Sequence, residues 1–192
     1  MPSPIGHALG ALAIGYAVSR TSGRDDGAPE VGAVRWREAA LFVGAGLAPD
    51  LDLLAGIHSQ YTHSVGAVAV VLAATWLLTG GRNLRLALAV ALAYASHPLL
   101  DWLGQDGTPP YGVMLLWPFD SAFHHSGLDI FRGISRRYWL PNFLAHNLAA
   151  VAWEILILAP AALAACVGRR RCRPRRRTEG RNCQSPGMER KS

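Results

Sequence analysis

Five apolar stretches dominate the first 167 residues of this 192-residue chain. A helix needs about 20 apolar residues to cross the hydrocarbon core of a bilayer. The fifth stretch meets that length, the first is shorter, and the third and fourth lie near the lower limit. The pattern predicts an all-α fold, a multi-pass transmembrane bundle of about five helices with a long outer loop. A soluble helical domain is the alternative, although helices that are apolar on every side are unusual in so small a domain. The stretches are residues 4–19, 38–57, 64–80, 84–100 and 140–167.

The chain divides into an apolar part and a basic tail. Residues 1–167 are expected to form the membrane-embedded domain, and residues 168–192 a disordered, Arg-rich C-terminal tail. The tail carries most of the net charge of +6. Because this basic block follows an apolar stretch directly, it predicts a cytoplasmic helix end that contacts anionic headgroups. The expected partner is therefore the lipid bilayer and not a nucleic acid.

The distribution of arginine predicts the orientation in the membrane. With five crossings, the loops around residues 20–37 and 81–85 and the tail all fall on one side, which the positive-inside rule makes cytoplasmic. The N-terminus and the loops 51–63 and 101–139 then face outward. Three arginines of the last loop run against this bias: Arg132, Arg136 and Arg137.

His97 and Asp101 form the most informative polar pair of the chain, at the end of the fourth stretch. Their spacing of four residues places them on one face of a helix. Pro98 between them indicates a helix start or a kink. Two interpretations stay open, a pair of metal ligands or a single hydrogen bond that satisfies two buried polar groups.

Two further polar motifs lie at the corresponding end of the second and third stretches. Asp50 and Asp52 follow Pro49, which breaks the preceding helix, and an extended turn would point both carboxylates to one side. His58 and His63 bracket a short loop beside them. Hydroxyl side chains next to His63 could orient an imidazole for ligation.

These side chains, together with His7, sort onto the face opposite the cytoplasmic arginines. Mixed imidazole and carboxylate ligands suit zinc best, with manganese or magnesium as alternatives. Seven candidates exceed what one catalytic zinc needs, so a two-metal site for phosphoester hydrolysis is one interpretation. The candidate catalytic residues are Asp50, Asp52, His97 and Asp101. The candidate metal ligands are His7, Asp50, Asp52, His58, His63, His97 and Asp101.

Other ionisable residues are weaker candidates. His124, His125 and Asp129 could extend the site, but ordinary loop contacts are the preferred interpretation. His146 and Glu154 lie inside the fifth stretch, where a structural pairing, with Asn147 or with another helix, is expected.

The order of these motifs resembles a known bacterial family, the YdjM-like, LexA-regulated inner-membrane proteins, which are described as membrane-bound metal-dependent hydrolases. The resemblance spans about residues 3–125. It implies a multi-pass helical protein of the bacterial inner membrane with a metal centre formed by the seven candidate ligands. In place of the Arg-Gly that usually follows the first His of the third motif, this chain has Ser59 and Gln60. The matching motifs are Gly6-His7, Pro49-Asp50-Leu51-Asp52, His58 with Tyr61-Thr62-His63-Ser64, Ser96-His97 with Asp101, and Leu115-Leu116-Trp117-Pro118.

The sequence therefore predicts a membrane-bound metal-dependent hydrolase that acts on an ester or phosphoester, with a lipid as one substrate class. A non-enzymatic protein that binds or passes a divalent cation is the first alternative. A structural membrane protein with satisfied polar helix ends is the second.

Overall fold

The computed structural model describes residues 1–19, 33–56, 58–107 and 109–171, and the regular secondary structure in these ranges is helical. Two short 3-10 helices, Ala48–Ala55 and Tyr61–His63, lie between the second and third α-helices. The described residues contain no strand, only two isolated β-bridges in the loop before the last helix. The all-α prediction is confirmed. The α-helices are α1 (Pro4–Ser19), α2 (Ala33–Leu47), α3 (Val65–Leu78), α4 (Leu84–Leu103) and α5 (Phe143–Arg171).

The second apolar stretch is not one helix. α2 ends at Leu47, and a 3-10 helix with Pro49 in its first turn continues the chain. Proline lacks the N–H that an α-helix requires, so the helical hydrogen bonds stop there. Gly56, with φ of 71°, ends the 3-10 helix in the left-handed region.

The ends of the other helices also differ from the sequence analysis in two places. Pro98 neither starts nor ends α4, which runs through it from Leu84 to Leu103. α5 extends to Arg171, four residues into the segment assigned to the basic tail. The rest of that tail lies outside the described residues.

Side-chain caps fix where two helices begin. The Ser64 hydroxyl accepts a hydrogen bond from the Ala67 N–H at 3.1 Å, and the Asn83 carbonyl oxygen accepts one from the Leu86 N–H at 3.0 Å. Each bond satisfies one of the free N–H groups in a first helical turn. The start of α3 is thereby placed directly after His63.

α1 and α4 are the central helices, because each packs against three others: α1 against α2, α4 and α5, and α4 against α1, α2 and α3. Small residues allow this close approach. At Gly15, a Cβ would lie 2.5 Å from the Phe42 ring, which is itself fully buried. Tyr16 meets the same ring edge-on with 5.4 Å between centroids. The C-terminal half of α1 is thus held against α2, the helix that leads to Asp50.

Two helices are long and apolar enough to span a membrane, Leu84–Leu103 and Phe143–Val167, while α1 and α3 are apolar but shorter. Large apolar side chains cover the exposed surface of α5, as Leu144 and Leu156 show, each 66% exposed. A bilayer would cover such a surface. These features are consistent with a membrane protein, and five crossings remain a prediction.

Candidate metal centre

The fold brings all seven candidate ligands into one cluster. α1 supplies one residue, the two 3-10 helices and the segment between them supply four, and the last two turns of α4 supply two. Distances of 3.0–3.9 Å connect the imidazole nitrogens to the carboxylate oxygens from one end of the cluster to the other. The members are His7, Asp50, Asp52, His58, His63, His97 and Asp101.

In the inner part of the cluster, imidazole nitrogens face carboxylate oxygens. His97 Nε2 lies 3.4 Å from Asp50 Oδ1 and 3.2 Å from Asp101 Oδ2. His63 Nε2 lies 3.5 Å from the same Asp101 oxygen, and His7 Nε2 lies 3.5 Å from Asp101 Oδ1. Two ligand atoms that are each about 2.1 Å from one ion, at a tetrahedral angle, are about 3.4 Å apart. The observed spacing is therefore that of metal ligands, and overlapping groups of three of these residues could each hold a cation.

Buried polar atoms without hydrogen-bond partners lie in the same part of the cluster. They are His63 Nε2, His97 Nε2, both carboxylate oxygens of Asp101, and His7 Nδ1, although His7 faces Asp101 through its other nitrogen, Nε2. Each of these four side chains is at most 2% exposed. An unsatisfied buried polar group costs about 1–3 kcal/mol, and more when it is charged. A bound cation would satisfy the two free Nε2 atoms and the carboxylate together, so these residues could hold a metal ion.

Hydrogen bonds orient two of the imidazoles so that Nε2 faces the cluster. His97 Nδ1 lies 2.7 Å from the Gly46 carbonyl oxygen, which only accepts, so the proton is assigned to Nδ1 and the Nε2 lone pair is free. His63 Nδ1 is hydrogen-bonded to the Thr62 hydroxyl at 2.9 Å and lies 3.3 Å from Asp52 Oδ2. Carboxylates and carbonyls behind an imidazole are the usual means of fixing a metal-binding tautomer.

Asp52 differs from the other carboxylates, because both of its oxygens are already engaged. Oδ1 lies 3.0 Å from His58 Nδ1, and Oδ2 accepts the Thr62 hydroxyl at 2.7 Å. The Thr62 carbonyl in turn accepts the Tyr94 hydroxyl at 2.6 Å. Asp52 is thus placed to orient His58 and His63. The same three residues, Asp52, His58 and His63, also form a second group that could hold a cation.

Burial lowers the pKa of His63 to about 4, because the interior disfavours the charged imidazolium. Its side chain has no exposed surface. The imidazole is therefore neutral at pH 7, which is the form that binds a metal.

The weaker candidates lie outside the cluster and have structural partners. His124 Nε2 lies 3.1 Å from Asp120 Oδ2, and His125 Nε2 lies 2.9 Å from the Gly104 carbonyl oxygen. His146 contacts the Gly133 carbonyl at 2.8 Å. These contacts hold the outer loop together.

Glu154 is fully buried and binds the start of the chain. Its carboxylate accepts hydrogen bonds from the Ser3 N–H, at 2.8 Å, and from the Ser3 hydroxyl. A Cβ at Gly6 would lie 2.6 Å from Glu154 Oε2. The expected partners of Glu154 were Asn147 or another helix, and the observed contacts fix the residues that precede His7.

One site feature was not found from the sequence, the carbonyl of Gly46, because a backbone carbonyl carries no side-chain signal. Arg136 and Arg137 line the cavity that reaches the cluster, although they lie some 35 residues beyond its last member.

The cluster opens into a cavity of about 900 Å³. Its inner wall includes His7, Asp50, His58 and Asp101. A volume of this size accommodates an organic ligand as well as water. The polar cluster is thus reachable from outside the helix bundle.

A family model described as YdjM inner membrane protein matches residues 1–172. The chain belongs to this family. The match extends beyond residue 125, where the sequence resemblance ended, to the last turn of α5. The YdjM family is one of inner membrane proteins, which agrees with the apolar helices. No curated protein and no solved structure matches the chain.

Proposed function

We propose that this YdjM family member is a membrane-bound metal-dependent hydrolase that acts on an ester or phosphoester. Its active site is the seven-residue cluster, and its cofactor is a divalent cation, with zinc the best fit to a mixed imidazole and carboxylate set. The protein crosses the bacterial inner membrane several times, with the cluster on the outer side and the basic tail in the cytoplasm.

The observation that carries the proposal is a set of buried polar atoms without hydrogen-bond partners: His63 Nε2, His97 Nε2 and both carboxylate oxygens of Asp101. The two Nε2 atoms lie 3.5 Å and 3.2 Å from Asp101 Oδ2 without making a hydrogen bond to it. Buried polar groups are normally hydrogen-bonded, and a cation bound between these atoms would satisfy them together.

The residues divide into holding and orienting roles. His7, Asp50, His63, His97 and Asp101 would hold the cation. A bound divalent cation supplies polarisation of the scissile group and a lower pKa for a coordinated water. Asp52 orients two imidazoles. His58 lines the cavity and is 20% exposed, but its Nδ1 lies 3.0 Å from Asp52 Oδ1 and its Nε2 lies 3.0 Å from Met1 Sδ, so it is given no catalytic role.

Cation transport is the alternative, and the position of Glu154 argues against it. A transport route needs polar side chains through the depth of the bilayer. Glu154 was the main residue expected to extend the polar set inward. Its carboxylate is instead occupied by Ser3, beside the helix that carries His7.

The test is hydrolysis by purified protein in detergent, with a chelator and then with zinc, manganese or magnesium restored. Phosphomonoester, phosphodiester and carboxylic ester probes separate the substrate classes. We expect activity that the chelator abolishes and one of the metals restores, and that His97→Ala removes. His124→Ala is the matched control, because that imidazole lies in the outer loop. Metal binding without hydrolysis of any probe would instead support the non-enzymatic alternative.

A further inference from the structure

The cavity that reaches the metal cluster has a positively charged second wall. Arg136 and Arg137 line it together with Leu140 and Phe143. Among the residues that the structure describes, neither guanidinium forms an ion pair. Two unpaired arginines beside a cation site form a surface that attracts an anion.

The backbone that carries these arginines is held in place. The Asn147 side chain accepts the Ser135 N–H at 2.8 Å and donates to the Ser135 carbonyl at 3.0 Å. The Ile134 N–H donates to the Met1 carbonyl at 3.0 Å. The segment before Arg136 is thus tied to α5 and to the start of the chain, so the position of the two arginines in the cavity wall is fixed by the fold.

Exposed aromatic and aliphatic side chains lie next to the arginines. Tyr138 and Trp139 are 76% and 68% exposed, and Leu144 in the first turn of α5 is 66% exposed. Across the cavity, Leu53 is 44% exposed and also lines the wall. Aromatic side chains of this kind settle at the level of lipid headgroups. A ligand that enters here can leave a hydrocarbon chain in the membrane.

From this juxtaposition we infer that the substrate is a phosphate-bearing lipid of the outer leaflet. Arg136 and Arg137 bind its phosphate, the cluster faces the ester bond, and the acyl or prenyl chains stay against the exposed apolar side chains. This inference rests on the proposed function. In hydrolysis, the oxygen of water bonds to phosphorus, the phosphorus–oxygen ester bond breaks, and the alcohol leaves with a proton from the water. Guanidinium groups suit this position because they bind phosphate oxygens in pairs.

The affinity of guanidinium groups for phosphate also explains why arginines occur in the 101–139 loop, which is expected to be exported and therefore poor in positive residues. Positive residues are scarce in exported loops of membrane proteins. All three arginines are exposed, but Arg136 and Arg137 line the cavity, whereas Arg132, in the same loop, lies outside the cavity lining. Arg132 is therefore the matched control.

The test measures binding, so that it does not depend on turnover. Dihexanoyl phosphatidic acid, inorganic phosphate and dihexanoylglycerol are titrated by calorimetry into the detergent-solubilised full chain, both chelator-treated and zinc-loaded. We expect the lipid phosphate to bind more tightly than either other probe. The double variant Arg136→Ala/Arg137→Ala should weaken it at least tenfold, while Arg132→Ala leaves it unchanged and all variants melt alike.

Equal affinity for the double variant and the wild type would overturn the arginine site. Inorganic phosphate that binds as tightly as the lipid would overturn the lipid part, and equal binding of dihexanoylglycerol would overturn the phosphate part. If the lipid binds in an arginine-dependent way but the protein retains no metal, only the proposed hydrolase is contradicted. The two failures are distinguishable, because one is measured as lipid binding and the other as metal content.

Discussion

The contact between α1 and α2 at Gly46 gives the sharpest prediction about how the fold supports the site. A Cβ at this position would lie 2.4 Å from the Ala11 Cβ and 3.2 Å from the His7 carbonyl oxygen. Carbon atoms in contact are normally about 3.5–4.0 Å apart, so Gly46→Ala must separate the two helices by about 1 Å. Ala11 has no flexible side chain that could move aside, and the backbone has to shift.

The free-energy cost of the steric clash at Gly46 can be isolated by comparison with Gly44, a second glycine of α2. At Gly44, a Cβ meets nothing within 4 Å. Alanine gains about 0.5–1 kcal/mol over glycine in a helix at both positions, so this gain cancels in the comparison. What remains is the overpacking penalty of about 1–3 kcal/mol. We expect Gly46→Ala to unfold more easily than Gly44→Ala by that amount.

The site should respond as well, because both helices carry parts of it. Gly46 accepts the hydrogen bond from His97 at 2.7 Å, and α1 carries His7. We therefore expect weaker zinc binding in Gly46→Ala and wild-type affinity in Gly44→Ala. Thermal unfolding in one detergent and zinc titration, run on both variants, give the comparison. Two variants of equal stability and equal affinity would refute the packing argument.

Three further outcomes are expected. Thr62→Val removes the hydroxyl that holds the carboxylate behind His63, so zinc affinity should fall about 10- to 100-fold in a titration, and an unchanged affinity would contradict the orienting role. Glu154→Gln replaces one of the two carboxylate oxygens that accept hydrogen bonds from Ser3 with an NH2 donor. The free energy of unfolding should therefore fall by about 1–3 kcal/mol, while the zinc stoichiometry is retained. A variant that melts like the wild type would mean that this buried hydrogen bond contributes nothing to stability. Reporter fusions after residues 105 and 168 should give opposite signals, exported and cytoplasmic, and equal signals would rule out five crossings.

Local sequence patterns predicted the helices well because hydrophobic length is a local property. The bounds of α1 agree with the first apolar stretch at both ends. In the second stretch, apolar composition continues past Leu47, and the break that Pro49 predicted is confirmed by the change to a 3-10 helix. Apolar composition did not report burial there, since Leu54 is 88% exposed.

The candidate site was predictable as a set of residue types, but its internal order was not. Asp50 and Asp52 look equivalent in the sequence, two residues apart beside a proline. In the fold, Asp50 faces His97, whereas Asp52 faces His58 and Thr62. The turn geometry of the 3-10 helix separates them, and no sequence pattern encodes which carboxylate faces His97.

The metal content of the purified protein tests the central claim most directly. Wild type and Asp101→Asn are exposed to zinc in the same detergent, desalted, and measured by mass spectrometry for metal per chain and by thermal melting for stability. Asparagine keeps the size of Asp101 but removes the charge that faces His7, His63 and His97. We expect at least one zinc per wild-type chain, almost none in the variant, and a variant that still melts cooperatively. A wild type without metal, or equal zinc in both proteins, would contradict a metal centre built on Asp101.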